Sequence, residues 1–155
     1  MAEMPEPGTP APDFEGRIQD GSVIRLSDYR GRKVALYFYP ADDTPGCTKQ
    51  ACNLRDDYRR LLDRGIAVIG VSADDIASHA RFADKYDLPF PLVSDPEHHI
   101  LNLYGVWGEK SLYGRTVVGT KRTTFIIDEE GIIRSVIKRP KTGDHANEIL
   151  KKVED

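Results

Sequence analysis

The sequence predicts an α/β fold, a central mixed β-sheet flanked by helices, with a β-hairpin on its N-terminal side. Three observations point there. VALYFY (Val34 to Tyr39) and IAVIGV (Ile66 to Val71) are continuous apolar runs, as expected of strands buried on both faces. Each is followed by apolar residues at spacings of three and four, the mark of an amphipathic helix. Strand–helix alternation then gives way to two short β-type runs around Asp128-Glu129-Glu130-Gly131 and a last helical segment.

Taken in order, residues 1–11 carry alternating prolines and read as an extended, poorly ordered arm. The N-terminus lacks a charged n-region and an apolar h-region, so it does not read as a secretory signal; the expected compartment is the reducing cytoplasm. Asp13–Ile18 and Ser22–Leu26 flank Asp20-Gly21, a hairpin-turn signal. Ser27 reads as the cap of a single helical turn ending at Gly31. The Val34–Tyr39 strand breaks at Pro40. A helix is predicted from Cys47 to Asp63 on the stripe Cys47, Ala51, Leu54, Tyr58, Leu61 and Leu62, stopped by Gly65. After the Ile66–Val71 strand, Asp74 or Asp75 caps a helix through Tyr86. Ile76, Ala83 and Tyr86 are expected to face inward, and Pro89 and Pro91 end this helix. Leu92 and Val93 form a short strand, and Ser94-Asp95-Pro96 opens a short helix to Tyr104. Gly105–Gly119, which holds Trp107, reads as loop or irregular strand. Thr123–Ile127 and Ile132–Ile137 form a hairpin, and a helix over Gly143–Val153 follows.

A chain of 155 residues fits a single domain over 1–155. With net charge −3 it carries no global footprint for nucleic acid. Lys138, Arg139 and Lys141 read as a solvated strand end. No apolar run reaches transmembrane length, so no membrane partner is expected.

Both cysteines, Cys47 and Cys52, lie in the stretch that leaves the first buried strand. In a reducing compartment a pair of cysteines points to redox work or metal binding. A thiol at a helix N-terminus meets free N–H groups and the positive end of the helix dipole, both of which favour an anion. On one helix the two residues stand about 140° apart around the axis and about 7.5 Å along it. Their Cα atoms are then roughly 8–9 Å apart, while a disulfide fails above about 7 Å, so any bond between them requires the first turns to unwind. A C-x-x-C pair closes without such rearrangement; this spacing does not. His79, His98, His99 and His145 show no metal spacing with either cysteine, and no metal or cofactor is expected. His98 and His99 read as exposed helix surface and His79 as a helix-flank side chain.

YPADDTPGCTKQAC, from Tyr39 to Cys52, resembles the active-site segment of peroxiredoxins, Pro-x-x-x-Thr/Ser-x-x-Cys, met here by Pro40, Thr44 and Cys47. The second cysteine, Cys52, is similar to that of the bacterioferritin comigratory protein, or PrxQ, branch. PDF near Pro12, VSAD from Val71, FPLVSDP, YGVWGEKSLYGR and RTTFIID from Arg122 extend the likeness over nearly the whole chain after the arm. Ala41 departs from it, since many relatives carry lysine there; beside Asp42 and Asp43 this leaves the loop more negative.

The resemblance implies a thioredoxin-like fold and a thiol peroxidase acting on hydrogen peroxide and organic hydroperoxides. It implies that Cys47 is the peroxidatic cysteine, Thr44 and Arg122 its polar partners, Pro40 the shield of the site, and Cys52 the resolving cysteine. It also implies thioredoxin, or a similar dithiol protein, as reductant. An intramolecular resolving cysteine needs no second subunit, so a monomer is expected. Thiol ionisation explains only part of such catalysis, because nucleophilicity falls as a thiol becomes more acidic. Groups that stabilise charge on the peroxide oxygens in the transition state must supply most of the rest. Arg122, a fixed fork that stays charged, suits that role, and the Thr44 hydroxyl can donate to sulfur while accepting from substrate, or the reverse. Taken alone, each residue also has a plain structural role. Cys47 suits a small core hydrophobe, Cys52 a surface thiol, Thr44 a turn and Arg122 a strand edge, while Trp107 and Tyr39 suit core or pocket wall. A general thiol-disulfide oxidoreductase and a non-enzymatic redox sensor or holdase are the alternative functions.

Overall fold

In the computed structural model, which describes residues 3–154, the sequence folds around a seven-stranded mixed sheet. Its strands are β1 (Glu15–Arg17), β2 (Val23–Arg25), β3 (Lys33–Phe38), β4 (Ile66–Ser72), β5 (Leu92–Ser94), β8 (Thr123–Ile127) and β9 (Ile133–Ile137), in the order β2-β1-β5-β4-β3-β8-β9. β3, β4 and β5 are parallel, and β8 runs antiparallel to β3. The parallel pairs need crossovers, supplied by α1 (Pro45–Asp56) with α2 (Tyr58–Asp63), and by α3 (Ile76–Tyr86).

Alternation along β3 builds two cores. Ala35, Tyr37 and Tyr39 turn toward α1, α2, α3 and α5 (His145–Glu154), where they join Leu54, Leu61, Phe82 and Ile149. Val34, Leu36 and Phe38 turn to the other face, under a 3-10 turn (Leu26–Tyr29) and α4 (His99–Leu103). The apolar runs read from the sequence are continuous because both faces are covered.

Four local expectations change. The helix after Pro40 starts at Pro45 and is interrupted at Asp57, and Leu62 is 43% exposed rather than part of the stripe. Asp56 and Asp57 are weak helix formers and meet the negative end of the dipole, which disfavours one continuous helix. On α3 Ala83 and Tyr86 pack half-buried against the core as expected, but the fully buried residues are His79 and Phe82; the helix after Pro96 begins only at His99, because Asp95 reaches forward to accept from the Leu101 N–H. The Gly105–Gly119 stretch is a regular second sheet, β6 (Trp107–Leu112) against β7 (Arg115–Thr120). It turns through Tyr113 and Gly114, both at positive φ, the geometry of a two-residue hairpin.

The arm is extended as expected, but it is tied down. Gly8 and Ala11 donate to the Ile133 and Gly131 carbonyls, Ile133 donates back to Thr9, and Ala11 is buried. Residues 1 and 2 of that arm lie outside the described residues. His98 is half-buried, its ring stacked on Trp107 at 3.8 Å between centroids, while His99 is exposed.

Candidate active site

Of the residues singled out in sequence, Pro40, Thr44, Cys47 and Arg122 lie at the carboxyl end of β3, beside the start of β8, while Cys52 stands further along α1. Phe38, the last residue of β3, pairs with Thr123, the first of β8, so Arg122 is carried to the point where the chain leaves the sheet. Pro40 then removes a backbone donor, Ala41 to Thr44 form a short loop, and Pro45 opens α1 at its first position.

Thr44 is the backbone N-cap, accepting from the Thr48 N–H at 2.8 Å. Its hydroxyl makes no cap bond; it donates to the Ala41 carbonyl at 2.8 Å. Donation from Thr44 to sulfur, one of the two arrangements expected, is therefore not the one formed, and the hydroxyl keeps its capacity to accept. The first-turn N–H groups, those of Gly46 and Cys47 among them, have no acceptor within the helix.

Cys47 lies on the buried face of α1 and is 2% exposed. Arg122 Nη2 donates to its Sγ at 3.2 Å. Gly46 makes room for that approach, since a Cβ there would stand 3.3 Å from Arg122 Nη2. Arg122 Nη1 donates to Gln50 Oε1 at 2.6 Å, so the guanidinium is braced while it contacts the sulfur. Gln50 is fully buried, and its Nε2 has no hydrogen-bond partner among the described residues. Because Oε1 must face the arginine, that free donor is fixed in orientation. Burial, with Arg122 adding to it, pushes the Lys110 ammonium down from its ordinary range, and its Nζ donates to the Thr120 carbonyl at 2.6 Å.

Sequence reading missed Gln50 and Lys110. Gln50 carried a signal: it stands one helical turn after Cys47, a polar side chain on the stripe that holds Ala51 and Leu54. Lys110 carried none, since its stretch reads as loop or irregular strand. Both cysteines are free thiols, and Cys52 is half-exposed on the flank of α1 near Arg55. The two share an unbroken helix, as expected, so a bond between them requires its first turns to unwind.

On its other side the loop is fastened to α3. Asp43, at φ 55°, accepts from Lys85 Nζ and the Tyr86 hydroxyl, each at 2.8 Å, and these donors hold its carboxyl below the usual range. Asp42 turns inward to His79, which is fully buried rather than on a helix flank.

A small polar cradle around one thiol, at the strand-to-helix corner of a mixed sheet, defines a thiol-based redox enzyme. Residues 7–136 match the AhpC/TSA family. The chain is 44% identical over 143 residues to the peroxiredoxin Bcp of Escherichia coli K12, covering 92% of each chain. It is 40% identical over 150 residues to that of Bacillus subtilis 168, covering 97% and 96%. The crystal structure of a cysteine-to-serine mutant of Xylella fastidiosa PrxQ superposes with a TM-score of 0.90 at 30% identity, over 99% and 98% of the two chains. The chain belongs to the AhpC/TSA family, and within it to the peroxiredoxins of the Bcp or PrxQ type, thiol peroxidases with a thioredoxin-like fold. No described helix is long and apolar enough to cross a membrane.

Proposed function

We propose that this chain reduces hydrogen peroxide and alkyl hydroperoxides through Cys47, with Cys52 as the resolving cysteine and thioredoxin, or a similar dithiol protein, as reductant. The carrying observation is the Arg122 guanidinium, 3.2 Å from Sγ and braced on Gln50. The Cys47 thiolate attacks one peroxide oxygen. The O–O bond breaks, the sulfur is oxidised to a sulfenic acid, and the departing alkoxide or hydroxide takes a proton to leave as alcohol or water. Arg122, the free Gln50 Nε2–H and the first-turn N–H groups are the donors available to the charge on those oxygens. Thr44, already donating to Ala41, accepts from the peroxide O–H. Pro40 shields the sulfur from bulk water.

The sulfenic acid then condenses with the Cys52 thiol, forming a disulfide and releasing water. Because both residues stand on one unbroken helix, the start of α1 unwinds for this step. A dithiol partner reopens the bond by exchange, becoming a disulfide itself. Intramolecular closure suits a monomer working in the cytoplasm. The test is peroxide consumption by the purified protein with thioredoxin and its reductase. Turnover is expected, Cys47→Ser abolishes it, and Cys52→Ser is oxidised once and then stalls. Full turnover by Cys47→Ser refutes the assignment. Intact mass and peptide mapping under non-reducing conditions are expected to give a monomer with a Cys47–Cys52 bond.

A further inference from the structure

The loop that carries Pro40 and Thr44 is held from behind by a buried pair that the chemistry above does not use. Asp42 Oδ2 lies 2.7 Å from His79 Nδ1 and accepts from the Ser78 hydroxyl at 2.8 Å; Asp42 Oδ1 accepts from the Tyr39 hydroxyl at 2.6 Å. The His79 side chain is fully enclosed and that of Asp42 is 3% exposed. The other ring nitrogen, Nε2, lies 3.0 Å from the Val93 carbonyl.

Hydrogen-bond chemistry fixes what this arrangement holds. A carbonyl oxygen has no hydrogen to give, so Nε2 carries one and donates it to Val93. A neutral imidazole would then present a bare lone pair at Nδ1 to a carboxylate at 2.7 Å. A proton must therefore lie between Nδ1 and Oδ2. Tyr39 and Ser78 already give their hydrogens to the same carboxylate, and burial pushes the Tyr39 phenol well up, so its hydrogen stays on oxygen. His145 shows the contrast within the same molecule: its Nε2 faces the Thr124 hydroxyl, which can donate, and a neutral ring is satisfied there.

The need for that proton is reinforced by a second carboxylate. Asp74 accepts from the Asp42 N–H at 2.8 Å and from the Ser72 hydroxyl at 2.7 Å. Among the described residues, neither Asp42 nor Asp74 is paired with a lysine or arginine; Lys85 goes to Asp43. Two carboxylates beside one buried ring are costly unless that ring supplies the compensating charge.

We propose that His79 is a positioning residue for the peroxidase reaction: through one proton shared with Asp42 it clamps the Pro40–Thr44 loop to α3 and β5. This rests on the function proposed above. Clamped, the loop holds Thr44 and the first turn of α1 in the arrangement that receives the peroxide. Released, it lets that turn unwind so that Cys47 can reach Cys52. One contact thus acts in opposite directions on the two steps, favouring oxidation of the thiol and resisting closure of the disulfide.

The test measures the two steps separately on the full chain, by rapid quench and intact mass after mixing with hydrogen peroxide. In His79→Leu, oxidation of Cys47 is expected to slow by about tenfold or more, since small misplacements of reacting groups cost rates of that order. Disulfide closure is expected to become faster. His79→Asn, whose amide can donate where Nδ1 did, is expected to restore most of the oxidation rate. A second reading uses the unaltered protein: a downfield, slowly exchanging proton resonance should belong to the pair and vanish in Asp42→Asn. Unchanged rates for both steps in His79→Leu, or absence of that resonance, overturns the clamp. Absence of any peroxide consumption by the unaltered protein would instead overturn the peroxidase assignment, leaving the resonance to report on the clamp.

Discussion

Because a guanidinium is a planar fork, Arg122 donates to Cys47 Sγ from Nη2 and to Gln50 from Nη1 at once. A lysine ammonium has three N–H donors on a single nitrogen but lacks the planar fork that presents one nitrogen to each acceptor. Arg122→Lys is therefore expected to lower the second-order rate with hydrogen peroxide by about 10²-fold, the scale of losing an oriented transition-state donor. Competition against a reference peroxidase reads this, and a rate within threefold of the unaltered protein would show that charge alone suffices. In the proposed reaction Gln50 acts through the arginine as well as by its own free N–H, so Gln50→Leu should lower the same rate while leaving Cys52 as competent as before. Cys47 and Thr44 stand out in the sequence because they fall in a dense motif, and Arg122 because it opens the separate segment RTTFIID. The sequence could not show that the Thr44 hydroxyl is spent on Ala41, since that depends on the shape of a loop between two elements.

At the scale of elements, sequence periodicity found the strands that cover the core and misjudged those that do not. β3 and β4 are buried on both faces and read directly as apolar runs. β6 and β7 stand apart from the main sheet, and much of β7 faces solvent, so no apolar alternation marks them. His79 was read as a flank residue because a histidine has no hydropathy signature, and its partners lie 14 and 37 residues away. Gly70 in β4 is legible only in three dimensions: a Cβ there would meet Leu92 Cδ2 and the Tyr37 ring at 2.9 Å. Those neighbours fill the core between β3, β4 and β5, so Gly70→Ala overpacks it. The expected loss is about 1–3 kcal/mol of stability. Urea denaturation measures it, and an unchanged midpoint would mean that the Tyr37 ring yields without cost.

For the molecule as a whole, the last helix and the sheet are joined by a buried histidine whose protonation links fold stability to pH. His145 opens α5, is fully enclosed, accepts from the Thr124 hydroxyl of β8 at Nε2, and donates to Glu148 from Nδ1. Burial lowers its proton affinity; Glu148 opposes that, less strongly, and Arg122 adds to it. The folded protein thus keeps the ring neutral at a pH where the unfolded chain, with its ordinary histidine near 6.5, takes up a proton. Stability contributed here is whole above about pH 6.5 and is lost as pH falls below it, because the unfolded state binds the extra proton. One such proton changes stability by at most about 1.4 kcal/mol per pH unit. Urea midpoints at pH 7.5 and 5.5 are expected to fall further for the unaltered protein than for His145→Gln, which has no proton to take up. The His79 pair is common to both proteins and cancels in the comparison. Equal losses in the two would show that the ring beneath β8 takes up its proton as readily in the folded state as in the unfolded one, and a smaller loss in the unaltered protein would show that an ion pair with Glu148, not a neutral imidazole, holds the α5–sheet joint.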